Sequence, residues 1–355
     1  MRWTQDGRLD RFRYVRVRWP DMSEVGEIAN ITGATIEENS LTSLKTSGTL
    51  DYVGDFNLGD DLVRIYSDSE LDGESETICH GTFLATTPSS TWSGVTRSGQ
   101  ADMFSVLWIL QQNKTTETYT VEAGANAVAL ATELARGNGN NLNVVASTAT
   151  SCVSTPHTWD AGTAYLEIIN WLLDFAGFSS AGIDAYGNVR MVPYVEPADK
   201  SPVATFSDTQ DSVSEPGFTH EFDAFEVPNK VTVVCSNAGS EPMVAHAVND
   251  DPENPYSTAA RRKFIVRVET VSDIADQQAL EAKAKELLRS GMSVVESVEI
   301  GHSYQPFEVG DAIAVDYSKA GYTKKLVTVS REKQMIPGIR CKTKARRYVN
   351  LALGE

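Results

Sequence analysis

The stretch FEVGDAIAVDYS, residues 307–318, is nearly a second writing of FNLGDDLVRIYS at 56–67. Phe56, Gly59, Asp60, Tyr66 and Ser67 fall in register with Phe307, Gly310, Asp311, Tyr317 and Ser318, while Leu58 and Leu62 match Val309 and Ile313. Each copy opens on an aromatic residue, passes an apolar residue and Gly-Asp, and enters an alternating segment that ends in Tyr-Ser. Glycine reaches the positive φ that a tight entry into a strand requires, and aspartate hydrogen-bonds nearby backbone amides. In the second copy, alternation puts Ile313, Val315 and Tyr317 on one face and Ala312, Ala314 and Asp316 on the other. In the first copy Leu62 and Tyr66 keep that face, but Arg64 breaks it. A further strand-like run and a proline follow each copy, HGTFLATTP and KKLVTVSREKQMIP. One copy alone is a common turn spelling. Two copies, each in a β-rich region of similar size, read as one barrel written twice, and such a chain can build a ring with twice as many barrels as subunits.

The surrounding chain has room for this. Its 355 residues suit two or three domains, and 41% hydrophobic content can fill real cores. No apolar run approaches the ~18–20 residues that cross a bilayer, and the N-terminal MRWTQDGRLDRFRYVRVRWP lacks the apolar centre of a secretory signal. Stable membrane insertion and export are not expected. The four cysteines, at 79, 152, 235 and 341, form no Cys-x-x-Cys pair and read as reduced, mostly buried thiols. The five histidines show no metal spacing, and no cofactor or metal is expected.

Net charge is −17 and uneven. Residues 1–18 hold six Arg against two acids, and residues 319–355 hold ten Lys and Arg against two. The middle carries 15 basic and 44 acidic residues, which argues against sequence-specific nucleic-acid binding. The basic ends could dock an acidic partner or neutralise their own acidic core.

Short alternating runs with frequent turn residues make residues 1–112 an expected β-barrel domain. An α+β domain is expected at 113–217. Its first helix, in AGANAVALATELARGNG, stops at a left-handed Gly137. Its second, in TWDAGTAYLEIINWLLDFAGF, is capped by Asp160 or Thr158 and ended by Gly177, before a hairpin turning at Gly187-Asn188. Prolines at 193, 197 and 202 mark a junction over roughly 193–217. A second β-barrel domain is expected at 218–355, with an inserted helix at about 272–290 opened by Ser272 or Asp273 and closed by Gly291. The fold class is thus β-rich α+β, with two antiparallel barrels flanking a smaller α+β domain.

This order resembles the baseplate-hub family of long-tailed phages and related injection machines. The resemblance is carried by the two Gly-Asp strands, the unit LEIINWLLDFAGFSSAGIDAYGNVRMVPY, and the closing PFEVGDAIAVDYSKAGYTKKLVTVSREKQMIPGIRCKTKARR. It implies tail-tube-like barrels and a homotrimer whose ring joins a six-fold tail tube to a three-fold distal tip. The implied partners are a distal tail or tail-tube protein on one side and tip, spike or fibre proteins on the other. DNA would only pass through, and the implied location is the virion.

Other chemistries are weakly written. Asp60-Asp61 and Asp250-Asp251 could be imagined as a glycosidase pair, but adjacent strand residues point to opposite faces. Asn249, Asp250, Asp251, Glu253 and Asn254 could offer oxygens to Ca²⁺ without the spacing of an EF-hand. No G-x-S-x-G elbow is present, and the Gly-rich GNGNN at 137–141 lacks the Lys and Ser/Thr of a phosphate loop. Trp159 and Trp171 could stack a sugar, although helix-borne aromatics beside Leu and Ile usually belong to a core. No catalytic residue is expected. The rival readings are a carbohydrate- or receptor-binding tail module and, less favoured, a peptidoglycan hydrolase.

Overall fold

The computed structural model describes residues 3, 7–86, 89–145, 147, 149–209, 213–235, 243–271, 274 and 276–351. Strand accounts for 48% and helix for 15%, so the chain is β-rich as expected. It forms two compact units, Met1–Gly217 with Ile300–Lys344, and Phe218–Glu299 with Ala345–Glu355. The segment 218–355 is thus shared between the units, while 1–112 and 113–217 both lie in the first.

In the first unit the strands run in the order Tyr322–Gln334, Ile31–Asn39, Thr46–Val53, Thr96–Ser105, Glu74–Ala85, Leu62–Leu71, Leu9–Val17 and Glu24–Glu27. Every neighbouring pair in this series is antiparallel. The sheet is not antiparallel throughout, however. Pro202–Ser207, inside the stretch expected as a junction, lies parallel to Ala312–Tyr317. Parallel partners need a long crossover, and here about a hundred residues separate the two strands. Two closed barrels are not seen among the described pairings, which join these strands in one mixed sheet beside three smaller sheets.

Alternation explains which residues face inward. In Thr46–Val53, Leu50 and Tyr52 are buried while Asp51 and Val53 are exposed. These two join Ile36, Phe83 and Met103 in a core that also takes Tyr304, Met335, Ile339 and Cys341 from the far end of the sequence. Gly48 permits the close approach of two strands, since a Cβ there would collide with the Thr35 carbonyl. A second core surrounds the helices Leu107–Gln112, Ala127–Arg136 and Tyr165–Phe175, where Leu134, Ile168, Ile169, Leu172 and Leu173 are buried.

The helix ends correct the sequence reading. Ala127–Arg136 is capped by Asn126, whose side chain accepts from the Ala129 amide. Gly137 is extended, and the left-handed residues are Asn138 and Gly139 beyond it. Tyr165–Phe175 has Ala164 at its N-cap, where alanine offers no side-chain acceptor; of the expected caps, Thr158 pairs with Thr120 in the strand His157–Trp159 and Asp160 accepts from Thr115 and Thr163 through its carbonyl. Gly177, at φ +73°, follows that helix as expected. Of the four thiols, Cys235 and Cys341 are buried, Cys79 is half-buried and Cys152 is exposed.

The second unit holds a three-stranded sheet with Lys230–Cys235 at its centre, antiparallel to Met243–Val248 and parallel to Val266–Val271. Helix Gln277–Gly291 buries Leu280, Ala284 and Leu288 against Val231, Val233, Cys235, Ala245 and Ala247. Asp276 caps it through the Ala279 amide; Ser272 and Asp273, the expected openers, lie outside the described residues. Leu280 is fully buried, so Leu280→Ala should cost about 2–5 kcal/mol in this unit. Differential scanning calorimetry should show the transition of the second unit moving down while that of the first stays in place.

Candidate functional site

The repeated turn-strand segments are built alike but serve different neighbours. In the first, Gly59 has φ +61°, its amide is held by the Asn57 side chain at 2.9 Å, and the Asp61 amide donates to the Leu58 carbonyl. In the second, Gly310 has φ +103° and the Asp311 amide donates to the Glu308 carbonyl. The turns therefore correspond as Leu58–Asp61 and Glu308–Asp311, one residue out of step with the alignment of the letters. By position in the turn, Asp61 is the counterpart of Asp311. Its carboxylate accepts from Arg16 at 2.6 Å and from the Trp19 amide, while Asp60 faces water. The Asp311 carboxylate accepts from the Glu308 amide at 2.9 Å. Adjacent Asp60 and Asp61 are thus no acid-base pair.

Phe56 and Phe307 are both buried. Phe56 stacks on Tyr52 with ring centres 5.1 Å apart, and Phe307 lies edge-on to Phe206 and beneath the Arg331 guanidinium. The tyrosine hydroxyls both donate, Tyr66 to Glu24 at 2.6 Å and Tyr317 to the Glu215 carbonyl at 3.0 Å. Burial, together with the bond to the Glu24 carboxylate, pushes the Tyr66 phenol up to about 12.

Arg64, which breaks the alternation, resolves into a second buried face. Val63 and Ile65 enter the sheet core, while Leu62 belongs to the helical core. Arg64 is 5% exposed, donating to Thr82, Glu24 and the Tyr186 carbonyl at 2.8, 2.9 and 3.0 Å. It anchors the Gly187 turn to the strand Leu62–Leu71.

An ion triad of two buried cations and a half-buried carboxylate ties an early strand to a late one. Strand Tyr322–Gln334 pairs with Ile31–Asn39 so that Arg331 stands opposite Glu38. Glu38 accepts from Arg331 Nε at 2.7 Å and from Lys333 Nζ at 2.8 Å. Each cation's side chain is only 3% exposed. Burial alone would raise the Glu38 pKa, but the two adjacent cations outweigh it and hold the carboxyl at about 2. Asp10 makes a second tie, accepting from Arg8, Ser69 and the Gly338 amide.

Around the triad lie two buried histidines. His302 Nδ1 must donate to the Ser303 carbonyl at 2.7 Å, which leaves Nε2 to accept from Thr343 at 2.8 Å. Burial lowers its pKa to about 4, and burial lowers that of His80 well below the ordinary value.

Other sequence candidates are engaged locally. Asn249 and Asp251 cap their own loop amides, and Asn254 is buried with its amide on the Leu351 carbonyl at 2.6 Å. Trp159 is buried and Trp171 packs edge-on to it, so both belong to the helical core. Sequence reasoning missed the triad and the anchoring role of Arg64. The triad had a signal, since Glu38 continues the inward phase of Ala34 and Ile36, and Arg331 and Lys333 that of Val329.

Two outcomes follow for stability. Glu38→Gln leaves two cations without their counter-charge in a buried site, a loss of about 3–5 kcal/mol for the first unit in chemical denaturation. Both histidines have folded pKa values below the unfolded one, so the unfolded chain binds more protons as pH falls below about 6.5. The first unit should lose stability from there down to about pH 4, and again as Glu38 is titrated from its unfolded value toward about 2. Melting curves across pH should show this decline, absent its upper step in a His80→Gln/His302→Gln variant.

No protein-family model and no curated protein sequence matches the chain. Among solved structures, the tail protein of Neisseria meningitidis superposes with TM-score 0.60 at 14% identity, covering 95% of this chain and 96% of that one. The 43 kDa tail protein of prophage MuSo2 from Shewanella oneidensis gives 0.57 at 10% identity, over 97% and 100%. A chain of the Francisella PdpA-VgrG complex gives 0.56 at 8% identity, over 98% of this chain and 53% of its own length. The chain has the fold of a phage tail protein.

Proposed function

We propose that the chain is a structural subunit of a phage tail, a homotrimeric hub that joins the tail tube to the distal tip. The observation that supports this most is the strand pair that merges the N-terminal and C-terminal thirds into one sheet, each third carrying its own Gly-Asp turn and strand. In this reading residues 1–112 and 218–355 carry two tube-like barrels, and 113–217 lies between them in sequence. Residues 218–299 then enlarge the expected helical insertion. Three subunits present six such barrels, a match between six-fold and three-fold symmetry. One side of the ring meets a distal tail or tail-tube protein and the other meets tip, spike or fibre proteins.

The activity is assembly geometry rather than catalysis. The carboxylates of Glu38, Asp61 and Asp311 hold strand and turn contacts. DNA passes through the channel without being read, and acidic residues of the middle region facing that channel would repel it. Native mass spectrometry with two-dimensional averages of negatively stained particles tests the proposal. A trimer with a central channel and six lobes is the expected result. A monomer with measurable affinity for host-wall sugars would replace the hub with a glycan-binding tail module.

A further inference from the structure

The sheet of the second unit has one covered face. Helix Gln277–Gly291 packs on Val231, Val233, Cys235, Ala245 and Ala247. Alternation turns the intervening residues the other way, in the rows Val248-Lys230-Val266, His246-Thr232-Val268 and Val244-Val234-Thr270. Val244, Val248 and Val266 are exposed, Val268 is 62% exposed, and Phe264, in phase with them, is 64% exposed. Lys230 brings a formal charge to the face, with its ammonium 5.2 Å from the Phe264 ring. Arg262 and Lys263 stand exposed at its rim, and none of these three cations enters an ion pair among the described residues.

Five valines share this face with Lys230, Thr232, His246 and Thr270, and exposed apolar groups gathered on one face mark a contact surface. Three strands of six residues give a face of about 20 by 10 Å, roughly a quarter of what one partner contributes to a standard interface. It is the mostly apolar centre of a contact, with Lys230 within it and Arg262 and Lys263 at its rim.

The same chain carries a segment with the complementary character. Val192, Tyr194, Val195 and Val203 are exposed along 192–203, interspersed with Glu196 and Asp199. Neither carboxylate enters an ion pair among the described residues. The segment leads into Pro202–Ser207, whose one strand partner among the described residues is Ala312–Tyr317.

We propose that the open face of the second unit receives the 192–203 segment of a neighbouring copy of this chain. Valines and Phe264 meet Val192, Tyr194, Val195 and Val203, while Lys230, Arg262 and Lys263 face Glu196 and Asp199. Face and segment are different surfaces, so the contact is heterologous and propagates from copy to copy until a ring closes. This rests on the hub reading and names the surfaces that meet in it.

The test compares trimer content by native mass spectrometry. Val266→Glu/Val268→Glu places charges in the contact centre, and should raise the dissociation constant about a hundredfold or more with thermal unfolding unchanged. Lys230→Glu/Lys263→Glu should weaken the trimer, and adding Glu196→Lys/Asp199→Lys in the same chain should restore it. A valine variant that stays trimeric at wild-type affinity overturns the assigned surfaces and leaves the hub standing. A wild-type chain that forms no trimer overturns the assigned contact, and one that also binds host-wall sugars overturns the hub with it.

Discussion

The pairing of Glu38 with Arg331 and Lys333 is the constraint on which the first unit depends. It sits where strand Ile31–Asn39 meets Tyr322–Gln334, two segments almost three hundred residues apart. Removing three ionic groups from water is costly, and such a set adds little net stability over an apolar replacement. Its consequence is specificity. Shifting either strand by one residue would turn Glu38 or both cations to the opposite face and leave buried charge unmatched. The triad therefore fixes the register of the seam itself, where Arg331 stands opposite Glu38.

The turn-strand segments show how one local solution can be placed in two settings. A glycine with positive φ and an aspartate that ties up backbone or neighbouring donors are enough to launch a strand in both. What differs is the company of the strand. Leu62–Leu71 is buried on both faces and uses Arg64 to reach the hairpin at Tyr186, whereas Ala312–Tyr317 takes a parallel partner on one edge and an antiparallel one on the other.

Much of this was legible in the sequence. Period-two alternation located the strands, and the three longer helices were found from their apolar stripes and end residues. End chemistry was less secure, since Asn126 and Asp276 cap helices where other residues stood nearby, and Gly137 is extended. Closure of strands into barrels is beyond what alternation shows, because local alternation gives a strand its faces but not its partners. The parallel pairing of Pro202–Ser207 could not be seen for the same reason. Glu38, Arg331 and Lys333 were visible as inward-phase charges, yet a charge in an inward phase has meaning only once the opposite strand is known. Letters also misled by one position, matching Asp60 with Asp311 where the turns match Asp61.

The seam can be examined directly by hydrogen-deuterium exchange of the full chain at neutral pH, resolved to short peptides. The account expects the amides of 35–39 and 330–334 to exchange as slowly as those of Leu62–Leu71, with both seam segments released together in Glu38→Gln. Rapid exchange at 330–334 in the unaltered chain, with Leu62–Leu71 protected, would contradict it, for the two ends of the chain would then not share a sheet.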